Sequence, residues 1–190
     1  NGVRYDTPTF AGFSLSASWG EDDYWDIAAR YSGEFSGIKI SLATAYSETT
    51  DNAGNRPCIG TGATATCSDS SYFQVGGMVK HLASGLWVHG TYGINEVDDV
   101  AQPEDIVGYY LKAGWSNKFN SLGATHFYGE YGKNDDAFDA GLTLDGALIL
   151  NTDATRYGVG IVQEIDAAAV SLWVKYRKHE FDANTTAGAF

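Results

Sequence analysis

The feature that most constrains this chain is an alternation of period two that recurs along nearly its whole length. Phe13, Leu15, Ala17 and Trp19 alternate with Ser14, Ser16 and Ser18, and Trp25, Ile27, Ala29 and Tyr31 with Asp26, Ala28 and Arg30. Ile38, Ile40, Leu42, Thr44 and Tyr46 alternate with Lys39, Ser41, Ala43 and Ala45. A helix would scatter these apolar residues around its cylinder, whereas a strand puts them on one face. The pattern continues as Phe73/Val75/Gly77/Val79, Leu86/Val88/Gly90/Tyr92/Ile94, Val107/Tyr109/Leu111/Ala113/Trp115 and Thr125/Phe127/Gly129/Tyr131. It closes with Tyr157/Val159/Ile161/Gln163/Ile165 and Val170/Leu172/Val174/Tyr176. With Val3/Tyr5 at the start, the chain reads as an all-β, antiparallel protein of about ten strands.

None of these apolar-face positions is charged. The opposite face carries Arg4, Asp6, Asp26, Arg30, Lys39, Lys80, Lys112, Glu130, Arg156, Glu164, Lys175 and Arg177. So many charges cannot pack dry against one another without large desolvation costs. They stand either on the solvated face of a soluble sheet or on the water-filled lumen of a barrel whose apolar face meets lipid.

Two further patterns favour the barrel. Connections alternate in length: Thr9–Gly12, Ser32–Gly37, His81–Gly85, Ser116–Gly123 and Asp166–Ala168 are compact. Ser47–Ser71, Asn95–Asp105 and Gly132–Thr155 are long, with Gly20–Tyr24 a brief link on the long side. Short turns at one rim and longer loops at the other are a barrel's signature. Aromatics also collect at strand ends: Trp19, Trp25, Tyr46, Phe73, Tyr92, Tyr131, Tyr157 and Tyr176 beside the long loops, and Phe13, Tyr31 and Trp115 beside the short turns. Such girdles mark the two membrane interfaces.

Composition excludes other classes. No apolar run approaches the roughly 18 residues that a membrane-spanning helix requires. A net charge of −12 opposes binding to phosphate backbones, so nucleic acid is not an expected partner. Gly60-Thr61-Gly62-Ala63-Thr64-Ala65 matches G-x-G-x-x-A but bridges no strand to a helix, so it reads as loop glycine. His81, His89, His126 and His179 lack metal-site spacing, and no G-x-S-x-G elbow occurs, so no catalytic residues and no resident cofactor are expected. Cys58 and Cys67 sit in a Gly/Thr/Ala/Asn-rich stretch and read as a disulfide stapling a loop in an oxidising compartment. Asn1 is not an initiator Met and no secretion signal follows it, which reads as a processed or truncated chain.

The run Arg4-Tyr5-Asp6-Thr7-Pro8-Thr9-Phe10-Ala11-Gly12-Phe13, continuing Ser14-Leu15-Ser16-Ala17-Ser18-Trp19-Gly20-Glu21-Asp22-Asp23, resembles Gram-negative general porins, above all those of alphaproteobacteria. There an R-Y-x-S-P-x-F-x-G-F-like strand-turn-strand follows the loop that folds into the pore; Thr7 here replaces the usual Ser and keeps the hydroxyl. The resemblance covers the whole chain as a strand pattern and its first few dozen residues as a motif. It implies a single segment, residues 1–190, running from just after the constriction loop to the penultimate strand of a roughly sixteen-stranded outer-membrane barrel. The family's closing strand ends in Phe after alternating apolar residues; Asn184, Thr186 and Gly188 before Phe190 do not fit, so Ala183–Phe190 reads as a loop.

The resemblance further implies a homotrimer in outer-membrane lipid and lipopolysaccharide, passing ions and small hydrophilic solutes by passive diffusion. The expected pore-lining residues are Arg4, Asp26, Arg30, Lys39, Lys80, Lys112, Glu130, Glu164, Lys175 and Arg177. The basic ones read either as plain solvation of a wet wall or as a cationic wall facing an acidic constriction loop. Glu21, Asp22, Asp23, Glu48, Asp51, Asp69, Glu96, Asp98, Asp99, Glu104, Asp105, Asp135, Asp136, Asp139, Asp145, Asp153 and Asp182 gather on the long-loop side. They read as a solvated surface or as loop-bound divalent cations bridging to lipopolysaccharide. Three alternatives remain: a soluble or surface-displayed β-sandwich binding module, a barrel enzyme, and a substrate-specific channel with a track through Trp87, Tyr110, Tyr128 and Trp173.

Overall fold

A computed structural model describes residues 1–21, 23–50, 69–97, 105–136, 143–144 and 146–189. Among the described residues, ten longer strands and two of two residues each form the fold. They are β1 (Gly2–Asp6), β2 (Phe13–Gly20), β3 (Trp25–Phe35), β4 (Ile38–Thr49), β5 (Ser70–His81), β6 (Leu86–Val97), β7 (Ile106–Asn120) and β8 (Gly123–Asp135). Then follow β9 (Thr143–Leu144), β10 (Ala147–Ile165), β11 (Val170–Thr185) and β12 (Gly188–Ala189). Each long strand pairs antiparallel with its sequence neighbour, in the order β1 to β8, β10, β11, β12; β9 pairs only with β10. This up-and-down meander is one sheet, whereas a sandwich needs a second to cover the first.

The short turns have the chemistry that twisted hairpins demand. Ala11–Gly12 and Ser36–Gly37 both take positive φ (48° and 86°, 49° and 77°). Two such residues make the tight turn whose twist matches the flanking strands. Phe10 and Phe13 exchange backbone hydrogen bonds across the first turn, and Phe35 faces Ile38 across the second.

Burial is inverted relative to a water-soluble protein. On β2, Leu15 is 50 % exposed while its neighbour Ser16 is 3 % exposed. Among the described residues the buried apolar side chains are Ala28 and Ala183, whereas Leu42, Leu86, Leu111, Val159, Leu172 and Val174 all stand in the open. Each large aliphatic left in water forfeits about 1.5–3 kcal/mol that burial would provide. A face bare over all these strands is therefore a face for lipid.

Strand limits run past the sequence reading at several connections, among them Ser32–Gly37, where β3 continues to Phe35, and three in the second half of the chain. Gly132–Thr155 is not one long loop: β8 runs on to Asp135 and β10 starts at Ala147. Ser116–Gly123 is mostly strand, because β7 continues through an irregularity between Asn117 and Asn120. Ala183–Phe190 is not a loop either: β11 extends to Thr185, and Gly188–Ala189 folds back to pair with it. In each case hydrogen bonding to a neighbouring strand carries the backbone past the point where apolar alternation stops. The Cys58–Cys67 pair lies outside the described residues.

The extra length explains charges on the apolar side. A membrane crossing takes about 9–11 tilted residues, but β7, β8, β10 and β11 have 15, 13, 19 and 16. Beyond Tyr131, Tyr157 and Tyr176 on that face come Lys133 and Asp135, then Asp153, then Lys178, Glu180 and Asp182. Lys133 Nζ contacts Asp135 at 2.5 Å and Asp153 at 3.0 Å, and Lys178 Nζ contacts Glu180 at 2.6 Å. The Lys133 pairs stand past the tyrosine girdle, at the loop end of the strands, and Lys178 lies level with Tyr157, its Nζ 5.8 Å from the ring centre.

Candidate functional site

Strand register puts all ten expected pore-lining residues on one face. Parity carries it from Arg4 opposite Ser18, through Ser18 opposite Asp26 and Arg30 opposite Ala43, to Lys39 opposite Lys80. It continues through Lys80 opposite Trp87, His89 opposite Lys112, Lys112 opposite Glu130, and Glu130 and Arg177 both opposite Gly158. Lys175 and Glu164 fall on the same face by strict alternation.

Near the chain start the contacts are local. Arg4 donates from Nε and Nη2 to the Asp6 carboxylate, at 2.9 Å each. Asp26 accepts from the Ser18 hydroxyl and from Tyr24 Oη, the latter at 2.9 Å. Arg30 Nη1 donates to Ser16 Oγ at 2.9 Å. Lys39 stands in the register between Glu34 on β3 and Lys80 on β5, so one neighbour is an opposite charge and the other a like charge that water must screen.

From β6 onward the face is built of large side chains. Lys112 Nζ sits 3.7 Å from the centre of the Tyr128 ring and 5.9 Å from that of Trp87. Arg156 lies over Tyr110 at 4.8 Å and Lys175 over Trp173 at 5.1 Å. Glu130, with 2 % of its side chain exposed, accepts from Arg177 Nε at 2.5 Å and from Tyr110 Oη at 2.6 Å. Ser116 Oγ accepts from Trp87 Nε1 at 2.8 Å and contacts His126 Nδ1 at 2.7 Å. Glu164 accepts from the Ser171 hydroxyl and lies 3.8 Å from His126 Nε2.

The four aromatics considered as a solute track, Trp87, Tyr110, Tyr128 and Trp173, do share this face, but each has a cation over its ring. Arg156 belongs to the group as well: alternation puts it on the charged face, although it was not among the ten expected pore-lining residues. The Glu130–Arg177 pairing left no trace in the sequence, since the partners lie 47 residues apart with β10 between them. No group of three or more His, Cys, Asp and Glu side chains among the described residues is placed to hold a metal ion. Many of the acidic loop residues considered for divalent cations lie outside that set.

The lower aromatic girdle is fuller than expected. Phe119, read from sequence as part of a turn, stacks edge-on between Trp115 (4.8 Å) and Phe127 (5.9 Å). Trp115 Nε1 donates to the Ser84 carbonyl at 2.7 Å, a polar tip anchored at the turn with the ring on the apolar side.

An antiparallel meander with a lipid-type face, two aromatic girdles and a charged opposite face defines an outer-membrane β-barrel protein. The sequence matches the Gram-negative porin family over residues 1–184, and the chain belongs to that family. Its location is the bacterial outer membrane. Among solved structures the fold is similar to OmpTdeltaL8, a loop L8 deletion mutant of OmpT, an outer membrane protein of Vibrio cholerae. The TM-score is 0.56 at 15 % identity, covering 99 % of this chain and 59 % of that one. This chain therefore spans less than two thirds of that barrel. No curated protein gives a significant match.

Proposed function

We propose that the chain forms wall of a water-filled channel through which ions and small hydrophilic solutes diffuse passively, with the polar face toward the lumen. Arg4, Asp26, Arg30, Lys39, Lys80, Lys112, Glu130, Glu164, Lys175 and Arg177 line it. The observation that carries this reading is the contrast of faces: bare aliphatics on one side from β2 to β11, and on the other a charged surface that includes Glu34, Lys39 and Lys80 at successive ladder positions. A row of charges of this density is stable when hydrated, and a lumen hydrates it. No chemical step is needed. On this reading the chain works as part of a homotrimer set in lipid and lipopolysaccharide, as its resemblance to general porins implies.

Planar-bilayer recording tests the reading. The detergent-purified full-length protein should insert in discrete conductance steps that scale with bulk salt, and proteoliposomes should swell in solutions of small sugars. Folded, heat-modifiable protein that inserts without conducting would overturn it.

A further inference from the structure

Glu130 lies on the polar face yet is almost wholly covered, with 2 % of its side chain exposed. Burying a carboxylate is costly unless its oxygens are bonded, and both are: Oε1 by Arg177 Nε, Oε2 by Tyr110 Oη. Tyr110 carries Arg156 over its ring, and Lys112 stands directly opposite Glu130 on β7. One hidden acid thus sits among three cations brought in by three different strands.

Glycines clear the space for this arrangement. Gly158 lies between Glu130 and Arg177 in the ladder, and a Cβ on it would come 3.2 Å from Arg177 Cα. Gly132 lies between Tyr110 and Arg156, and a Cβ on it would come 3.0 Å from Arg156 Nε and 3.1 Å from the Tyr110 ring. The two gaps let long side chains lie along the wall and reach across an intervening strand. Without the acid at the centre, three like charges in so small an area would repel one another away from the wall.

We propose that Glu130 is a positioning residue: with Tyr110 it holds Arg177 and Arg156 against the wall, so that ion preference depends on an acid that passing ions do not touch. The proposal rests on the reading of this face as a pore wall. It separates two roles for Glu130, since a simple wall charge acts through its sign alone whereas a holder also needs reach and a hydrogen-bond partner.

Two charge-conserving variants distinguish these roles in the full-length protein, recorded in planar bilayers across a low-salt KCl gradient. Tyr110→Phe removes one hydroxyl, and Glu130→Asp shortens the acid by one methylene. Each should change the anion-to-cation permeability ratio about twofold, as a shift of roughly a third of kT in local potential would, and each should raise open-channel current noise as the arginines are released. Glu130→Gln adds loss of charge to loss of hold, with heat-modifiable migration reporting its folding. Wild-type ratio and noise in both Tyr110→Phe and Glu130→Asp would overturn the proposal and make Glu130 an ordinary wall charge. Wild-type protein that conducts while both variants are silent sinks only this inference; folded wild-type protein that never conducts sinks the pore reading beneath it.

Discussion

Across β2 to β5 the polar face has small side chains at its centre, Ser14, Ser16, Ala28, Ser32, Ser41, Ala43, Ala45 and Gly76, with Asp26, Arg30, Glu34, Lys39 and Lys80 set among them. Across β7 to β11 the same face carries Tyr110, Lys112, His126, Tyr128, Glu130, Arg156, Trp173, Lys175 and Arg177. The apolar faces of the two arcs hardly differ in the membrane-crossing stretch: Leu42 and Leu111 flank Gly77 and Gly90 in one continuous row. Lipid asks the same of every strand, so the outer face is uniform. The polar face has no such common demand, and one arc is free to be smooth while the other carries a linked set of cations, aromatics and an acid.

Register on the apolar face gives the largest expected effect and tests what the arcs share. Leu42→Arg and Leu111→Arg should each destabilise the bilayer-embedded barrel by about 2–4 kcal/mol, the cost of a lipid-facing charge near midplane. Ala43→Arg, one residue from Leu42, should cost far less because its side chain stays hydrated. Chemical unfolding in lipid vesicles measures both, and equal losses at Leu42 and Ala43 would break the assignment of faces.

Within the second arc the polar face should tolerate added volume less than the apolar face. A Cβ on Gly158 would lie 2.5 Å from the Tyr176 carbonyl oxygen, so Gly158→Ala should cost about 1–3 kcal/mol through overpacking. Gly129 on the neighbouring strand has its nearest atom at 3.9 Å, and Gly129→Ala should be close to neutral in the same unfolding assay.

Ion preference sharpens the contrast further. Neutralising Arg30, Lys39 and Lys112 together should move the reversal potential toward cations, with the barrel still folded. The shift should shrink between 0.1 M and 1 M salt as the screening length falls from about 10 Å to about 3 Å. Asp98 and Asp99, outside the described residues and expected at the outer rim, should matter less. A triple variant with an unchanged low-salt reversal potential would remove these three residues from the conducting path.

The smallest effect is expected at the short-turn rim of the second arc. Lys118 and Asp166 pair at 3.0 Å with 68 % and 59 % of their side chains exposed. Lys118→Met should change unfolding stability by about 0.5 kcal/mol or less, as for other solvent-screened surface pairs. A larger loss would mean that this turn is more constrained than its exposure implies.

Much of the fold was legible in the sequence because a pleated strand converts residue parity into face without reference to any neighbour. That is why Leu15 and Ser16, or Leu111 and Lys112, could be assigned to opposite sides, and why all ten expected wall residues fall on one face. Strand ends were less legible: Lys133, Asp153 and Glu180 interrupt the apolar pattern, yet backbone hydrogen bonds to adjacent strands carry β8, β10 and β11 past them. Phe119 was missed for the same reason, since Asn117, polar at the position between Trp115 and Phe119 on that face, breaks the alternation that would have flagged it.

The sequence by itself determined the two faces, the antiparallel meander and the aromatic girdles, all of which follow from a period of two, turn chemistry and the sorting of polarity between water and lipid. Only the tertiary structure decided which side chains meet. Glu130 finds Arg177 across β10 because the turns and pairings fix how far each strand slides past the next, and because Gly158 and Gly132 leave gaps at those ladder positions. Parity is a property of one strand, whereas register belongs to a pair, and long-range contacts on the wall depend on the accumulated register of several pairs at once.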